Sequence, residues 1–311
     1  MVSELRGTIT KSTGSWYQVM LSNGNQVTAR IKGRFRLSDI KHTNPVAVGD
    51  IVSIQPESAT TNYIITQIHE RKNYIIRKSS NLSKQTHIIA SNIDQLILLV
   101  TLSMPETSLG FIDRILVTAE AYHIKPVLVF NKCDLFDSPD MEEILTDTIQ
   151  LYSQIGYVCL RTSSATKTGI DALTKILKKK TSLIIGHSGV GKSTLLNTVD
   201  ESLNLKTGDL SNYHNKGKHT TTFAEMHSLG FGGFIIDTPG IREFGLVDIP
   251  DEELSHYFIE MRPYIGTCKF NNCKHISEPG CEVKKAVDTG KISELRYQSY
   301  LSMLLKEDLY A

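Results

Sequence analysis

The sequence predicts an α/β core on a parallel sheet, preceded by a small β-barrel and followed by a mainly helical, metal-binding tail. Three observations predict this arrangement. Residues 5–70 alternate apolar and polar positions between short turn signals. From residue 95, uninterrupted apolar runs of strand length alternate with longer helix-like stretches. Beyond residue 247 the chain is charged and helix-like around three cysteines and a histidine.

In the first tract, "SNGN" (22–25), "TNPVAVGD" (43–50) and "ESATTN" (57–62) separate short strands that can close into a barrel. Side chains alternate across a strand, so in "VTARIKGRFR" Val27, Ala29, Ile31 and Phe35 share one face. Arg30, Lys32, Arg34 and Arg36 share the other, a basic edge suited either to solvent or to phosphates. Residues 1–72 are assigned to this domain, and the polar, basic residues 73–92 to a linker.

Residues 93–246 form the second unit. Its strands are expected at "QLILLVTL" (95–102), "PVLVF" (126–130), "YVCL" (157–160), "SLII" (182–185) and "GFIID" (233–237). Runs without alternation suit a parallel sheet covered on both faces. Residues 247–311 form the tail, ending in an amphipathic helix over 291–308 with Ile292, Leu295, Leu301 and Leu305 as its apolar stripe. Trp16 and Cys159 are expected in the core.

A chain of 311 residues has room for about two or three domains. Apolar residues at 40% and charged residues at 22% are ordinary for a soluble globular protein. No apolar run is long enough for a bilayer, and "MVSELRGTIT" lacks signal character, so a cytoplasmic location without membrane partners is expected. A net charge of +1 excludes whole-molecule attraction to polyanions and leaves only local basic patches. A monomer is expected.

"GHSGVGKST" (186–194) fits G-x-x-x-x-G-K-S between a strand and a helix. The glycines let the backbone N–H groups of Gly186, His187, Ser188, Gly189, Val190 and Gly191 converge on phosphates, aided by the helix N-terminus. Lys192 reaches the β- and γ-phosphates, the Ser193 hydroxyl suits Mg²⁺, and Thr194 follows. The cradle specifies a nucleoside triphosphate but not its base.

"NKCD" (131–134) ends a buried strand. The Asp134 carboxylate can accept from both guanine N1–H and the 2-amino group, which adenine does not offer on that edge. Asn131, Lys132 and Cys133 support the base, the lysine along its plane. "TSSATKTG" (162–169) follows the next strand, where a backbone N–H of Thr162, Ser163, Ser164 or Ala165 can contact guanine O6. "DTPG" supplies Asp237 for the Mg²⁺ side and Gly240 to sense the γ-phosphate. "LSNYHNKGKHTTT" (210–222) lies in switch position and offers Thr221 to Mg²⁺. The base loop precedes the cradle, the reverse of the ordinary GTPase order. Termini of compact domains lie close together, so a circular permutation keeps the site while cutting the chain elsewhere.

Cys268, Cys273, His275 and Cys281 are spaced C-x₄-C-x-H-x₅-C. Four soft or borderline ligands so close suit a closed tetrahedral, structural Zn²⁺ site.

Together "NKCD", "GHSGVGKSTLLN", "KGKHTTT", "DTPGIREFGL" and "CKFNNCKHISEPGCEVKKAV" resemble the RsgA (YjeQ) family of circularly permuted GTPases over essentially the whole chain. The resemblance implies an OB-fold, a permuted GTPase core and a zinc-binding tail. It also implies binding of GTP and GDP, contact with the small ribosomal subunit and its rRNA, and hydrolysis stimulated by that particle late in its maturation. Ile241, after the DTPG glycine, cannot orient water, which predicts slow unaided hydrolysis. His219 is the candidate for that role; contact with backbone or RNA is the alternative. A nucleotide-gated RNA-binding module with incidental turnover is the competing function.

Overall fold

Inward-facing branched side chains make the first tract a barrel. In the computed structural model, which describes residues 4–31, 45–57, 60–78, 86–206, 224–238 and 249–306, its strands are β1 (Leu5–Ser12), β2 (Tyr17–Leu21), β3 (Gln26–Ile31), β4 (Ile51–Pro56) and β5 (Tyr63–Ile68). Ile9, Val19, Ala29, Val52, Ile54 and Ile65 fill the interior with no exposure. The order is β1-β2-β3-β5-β4 with β4 returning to β1. β3 and β5 run parallel, and the other pairs are antiparallel. This is an OB-type barrel. Trp16 corrects an expectation: it is 40% exposed, while Tyr17 beside it turns inward.

Residues 73–92, read as a connection, carry the antiparallel strands β6 (Tyr74–Lys78) and β7 (Thr86–Ser91). Ile75 and Ala90 pack into the main core, whereas Ile76 and Ile88 pack with Ala47. Both faces of the hairpin are covered, which hides the alternation in sequence. Buried Asp50 ties barrel to hairpin, accepting from Ala47 N, from the Arg71 guanidinium at 2.7 Å and from Ser91 Oγ at 2.6 Å.

The next unit runs β8 (Gln95–Val100), α1 (Leu109–Ala121), β9 (Lys125–Phe130), α2 (Pro139–Ile155), β10 (Val158–Arg161), α3 (Ile170–Leu177), β11 (Thr181–Ile185), α4 (Lys192–Val199), β12 (Glu225–Ser228) and β13 (Phe234–Asp237). β10-β9-β8-β11-β13 are parallel neighbours. β12, which has no apolar run to announce it, joins antiparallel and continues the sheet onto β1, where Lys11 pairs with Glu225 at 2.9 Å. Phe111, Ile115, Leu145 and Tyr152 cover one face; Leu173, Leu177, Leu195 and Leu196 cover the other. The carboxyl ends of the parallel strands β8, β9, β10, β11 and β13 therefore gather at one edge, where open α/β sheets bind ligands.

The tail holds short 3₁₀ turns, α5 (Glu282–Asp288) and α6 (Glu294–Leu305). Half of the expected apolar stripe of α6 is corrected: Ile292 and Leu301 pack in the tail core, and Leu295 and Leu305 do not. Leu295 and Leu305 are 56% and 52% exposed, and the buried face is Arg296, Tyr297, Ser299, Tyr300, Met303 and Leu304. A buried arginine rotates the face away from the hydrophobic pattern. Arg296 pairs with Asp113 of α1 at 2.5 Å and with Glu260 at 2.6 Å, and its guanidinium lies 4.7 Å from the Phe258 ring centroid. Tyr152 donates to the same Asp113 oxygen at 2.7 Å.

Removing Asp113 takes one of two carboxylates from buried Arg296 and the acceptor from buried Tyr152. Asp113→Ala is expected to cost about 3–5 kcal/mol in urea unfolding. Glu120→Ala, which breaks the exposed pair with Arg262, is expected to cost less than about 1 kcal/mol.

Candidate functional site

The loop between β11 and α4 turns on Gly189 at φ +88° and Gly191 at φ +89°. Both lie in the left-handed region that glycine adopts without strain. Val190 plugs the loop into the core with no exposure. A Cβ on Gly186 would meet the Leu99 carbonyl at 2.8 Å, so the loop lies directly on the end of β8. Lys192 folds back over the loop, donating to the carbonyls of Gly186 at 2.6 Å and His187 at 2.9 Å.

Asp237, at the end of β13, faces this lysine. Burial pushes its carboxyl pKa up, opposed by Lys192 and His227. Burial likewise pulls Lys192 down, opposed by Asp237. Asp237 Oδ1 is buried with no hydrogen-bond partner among the described residues. An orphaned carboxylate oxygen beside a phosphate-type loop fits a hydrated divalent cation. Thr238 Oγ1 donates to the Ile184 carbonyl at 3.3 Å and fastens this strand end to the cradle strand.

Asn131 joins the base loop to the cradle. Its Nδ2 donates to the Val190 carbonyl at 2.8 Å, and its Oδ1 accepts from Thr162 Oγ1 at 3.0 Å. Its backbone N–H donates to Val100 at the end of β8. Cys133 N–H donates to the Thr162 carbonyl at 3.1 Å, and its half-buried thiol is pushed up by burial. Asp134 is exposed at the mouth. In the second base loop, buried Ser163 caps Thr166 N–H through its Oγ. Ser164 Oγ is buried with no partner among the described residues. The structure thus brings Asn131–Asp134, Thr162–Ser164, Gly186–Thr194 and Asp237 to one sheet edge. His219, Thr221 and Gly240 lie outside the described residues.

The residues after β8 belong to the same edge and were not singled out in the sequence. Lys132 Nζ donates to the Met104 carbonyl at 2.8 Å. The Phe111 and His187 rings lie 3.9 Å apart, centroid to centroid. "SMPETS" at a strand end was the available signal.

The tail cluster forms a second site. The ligand atoms of Cys268, Cys273, His275 and Cys281 all lie within 4.8 Å of one another. Four ligands about 2.3 Å from a central ion define a tetrahedron with edges of about 3.8 Å. Here Cys268 Sγ to His275 Nδ1 is 3.7 Å, Cys268 Sγ to Cys281 Sγ is 4.0 Å, and His275 Nδ1 to Cys281 Sγ is 3.4 Å. The cluster fits a structural Zn²⁺. Glu282 N–H and Lys284 N–H each donate at 3.4 Å to ligand sulfurs, and Glu278 accepts from Lys274 and Ile276 N–H to shape the ligand loop.

On the barrel, Arg30 is engaged in an ion pair with Glu57. Lys32, Arg34 and Arg36 lie outside the described residues.

The comparisons agree with this geometry. The RsgA GTPase family model matches residues 68–247, and that of the RsgA N-terminal domain matches 6–64. The chain is 52% identical over 300 residues to the small ribosomal subunit biogenesis GTPase RsgA of Bacteroides fragilis, covering 96% of each. It is 53% identical over 306 residues to that of Flavobacterium johnsoniae, covering 96% of this chain and 93% of the relative. Among solved structures, YjeQ from Thermotoga maritima superposes with TM-score 0.78 at 35% identity, over 98% of both chains. YloQ, a circularly permuted GTPase, gives 0.74 at 28% identity over 98% of this chain and 95% of its own. A guanine-type loop and a phosphate cradle, inverted in sequence yet hydrogen-bonded in space, have the same explanation as these matches: the chain belongs to the RsgA family of circularly permuted GTPases.

Proposed function

We propose that this chain hydrolyses GTP on the small ribosomal subunit during late maturation, with turnover accelerated by that particle. The Asn131–Val190 hydrogen bond carries the nucleotide half of the reading, because it sets the base-reading loop beside the phosphate cradle. The subunit half is supported by the relatives' names.

Asp134 accepts from guanine N1–H and the 2-amino group while the Lys132 stem lines the base plane. Thr162, Ser163 and Ser164 present the donors for O6. The backbone from Gly186 to Gly191 holds the phosphates, and Lys192 exchanges its two carbonyl acceptors for phosphate oxygens. Ser193 and Thr221 would hold Mg²⁺, Asp237 would serve the same ion, and Gly240 would sense the γ-phosphate. When bound, the ion offsets charge developing between the β- and γ-phosphates. His219 orients the attacking water that Ile241 cannot. Zn²⁺ held by Cys268, Cys273, His275 and Cys281 folds the tail. Arg30, Lys32, Arg34 and Arg36 meet rRNA phosphates, in competition with Glu57 at Arg30.

A Cβ at position 191 would need positive φ and would sit 2.8 Å from Asn131 Nδ2. Gly191→Ala is therefore expected to weaken GDP binding at least about tenfold by calorimetry. Multiple-turnover hydrolysis should rise sharply when purified small subunits are added; equal rates would favour an RNA-binding module with incidental turnover. His219→Ala should retain subunit binding and lose the stimulation, and unchanged stimulation would remove His219 from the water-positioning role. Cys273→Ala should release the bound zinc and open residues 249–306 to protease, read by metal analysis and limited proteolysis.

A further inference from the structure

Lys132 does not rest its ammonium on the cradle. Its Nζ donates instead to the Met104 carbonyl at 2.8 Å, in the turn that follows β8. Its backbone is left-handed, at φ +59°, and is held there by hydrogen bonds on both sides: Asn131 N–H to Val100 and Cys133 N–H to Thr162. The position of the Met104 carbonyl thus decides where the lysine stem lies.

Two buried threonines fix that carbonyl. Thr101 and Thr107 are 1% and 2% exposed. Thr101 Oγ1 donates to the Pro105 carbonyl at 2.5 Å. Thr107 N–H donates to the Thr101 carbonyl at 2.8 Å, and Thr107 Oγ1 accepts from Thr101 N–H at 3.2 Å. Met104 itself is 73% exposed at the lip of the site. These three bonds tie the two ends of the turn together and hold Met104 between them. Fixing a flexible lysine in advance lowers the ordering cost of binding.

We propose that Thr101 is a positioning residue for the nucleotide base, acting through the Met104 carbonyl to hold the Lys132 stem along the guanine plane. This rests on the reading of the site as a guanine-nucleotide site. Calorimetric titration of GDP into wild type, Thr101→Val, Lys132→Met and the double variant tests it. Thr101→Val removes the donor at nearly constant shape and should weaken GDP binding about three- to tenfold, as one lost hydrogen bond does. Its kcat at saturating GTP should stay within about twofold of wild type. Thr101→Ser keeps the donor and should bind like wild type. The double variant should bind no more weakly than Lys132→Met alone, because the threonine acts through the lysine.

Wild-type affinity in Thr101→Val, a loss in Thr101→Ser equal to that in Thr101→Val, or losses that multiply in the double variant would each overturn the proposal. So would a fall in saturating kcat with GDP affinity unchanged. Should the valine variant fail to fold, Thr101→Ala takes its place in the same cycle. Absence of GDP binding by the wild type would instead overturn the nucleotide reading itself.

Discussion

The side-chain amide of Asn131 is the constraint on which the nucleotide site depends. It is 1% exposed, so both its ends need partners, and each partner is another functional loop: the cradle through Val190 and the second base loop through Thr162. Losing either bond would leave a buried polar group unpaired, at a cost of about 1–3 kcal/mol. The bond is indifferent to chain order. β8 lies between β9 and β11, and all three are parallel, so their carboxyl ends meet whichever strand is synthesised first. Permutation moves the cut in the chain and leaves the meeting point alone.

Among the described residues, one buried and one half-buried charge system are finished differently, and the difference separates structure from function. Around Arg296, donors meet acceptors: Asp113, Glu260 and Tyr152 answer the guanidinium and one another. Such a set is complete and fixes the tail against α1. Around Lys192 and Asp237 the lysine rests on two carbonyls, and one aspartate oxygen has no partner among the described residues. Burial pushes the two groups toward neutrality while their mutual attraction opposes it. A half-buried lysine and aspartate finished in this way among the described residues are suited to a phosphate and its cation.

The parts legible in the sequence are those whose chemistry is local. The cradle needs glycine at fixed steps: Gly191 takes positive φ, and a Cβ on Gly186 would meet the Leu99 carbonyl. The metal cluster needs four ligands within a short span, and they converge. The five core strands were visible because strands covered on both faces are apolar throughout. What escaped depends on distant partners. The β6–β7 hairpin hides its period because Ile75 and Ile76 enter different cores. β12 is a polar strand defined by pairing with β13 and β1. The buried face of α6 is set by Arg296, whose acidic partners lie 183 and 36 residues away. The Thr101–Met104 turn acquires meaning only beside Lys132.

α1 connects these systems mechanically. Phe111, in its first turn, packs on His187 of the cradle, and Asp113, two residues on, holds Arg296 of α6. A helix is stiff over so short a distance, because each residue is tied to the next turn by backbone hydrogen bonds. A displacement of the cradle that shifts Phe111 would therefore load the buried Asp113–Arg296 pair that holds the tail. Breaking that pair would cost buried Asp113 its ionic partner and leave it with Tyr152, while Arg296 would keep Glu260. The tail is bound to the nucleotide site by packing as well as by the chain that runs on from β13, and the helix that binds it begins at the turn holding Lys132.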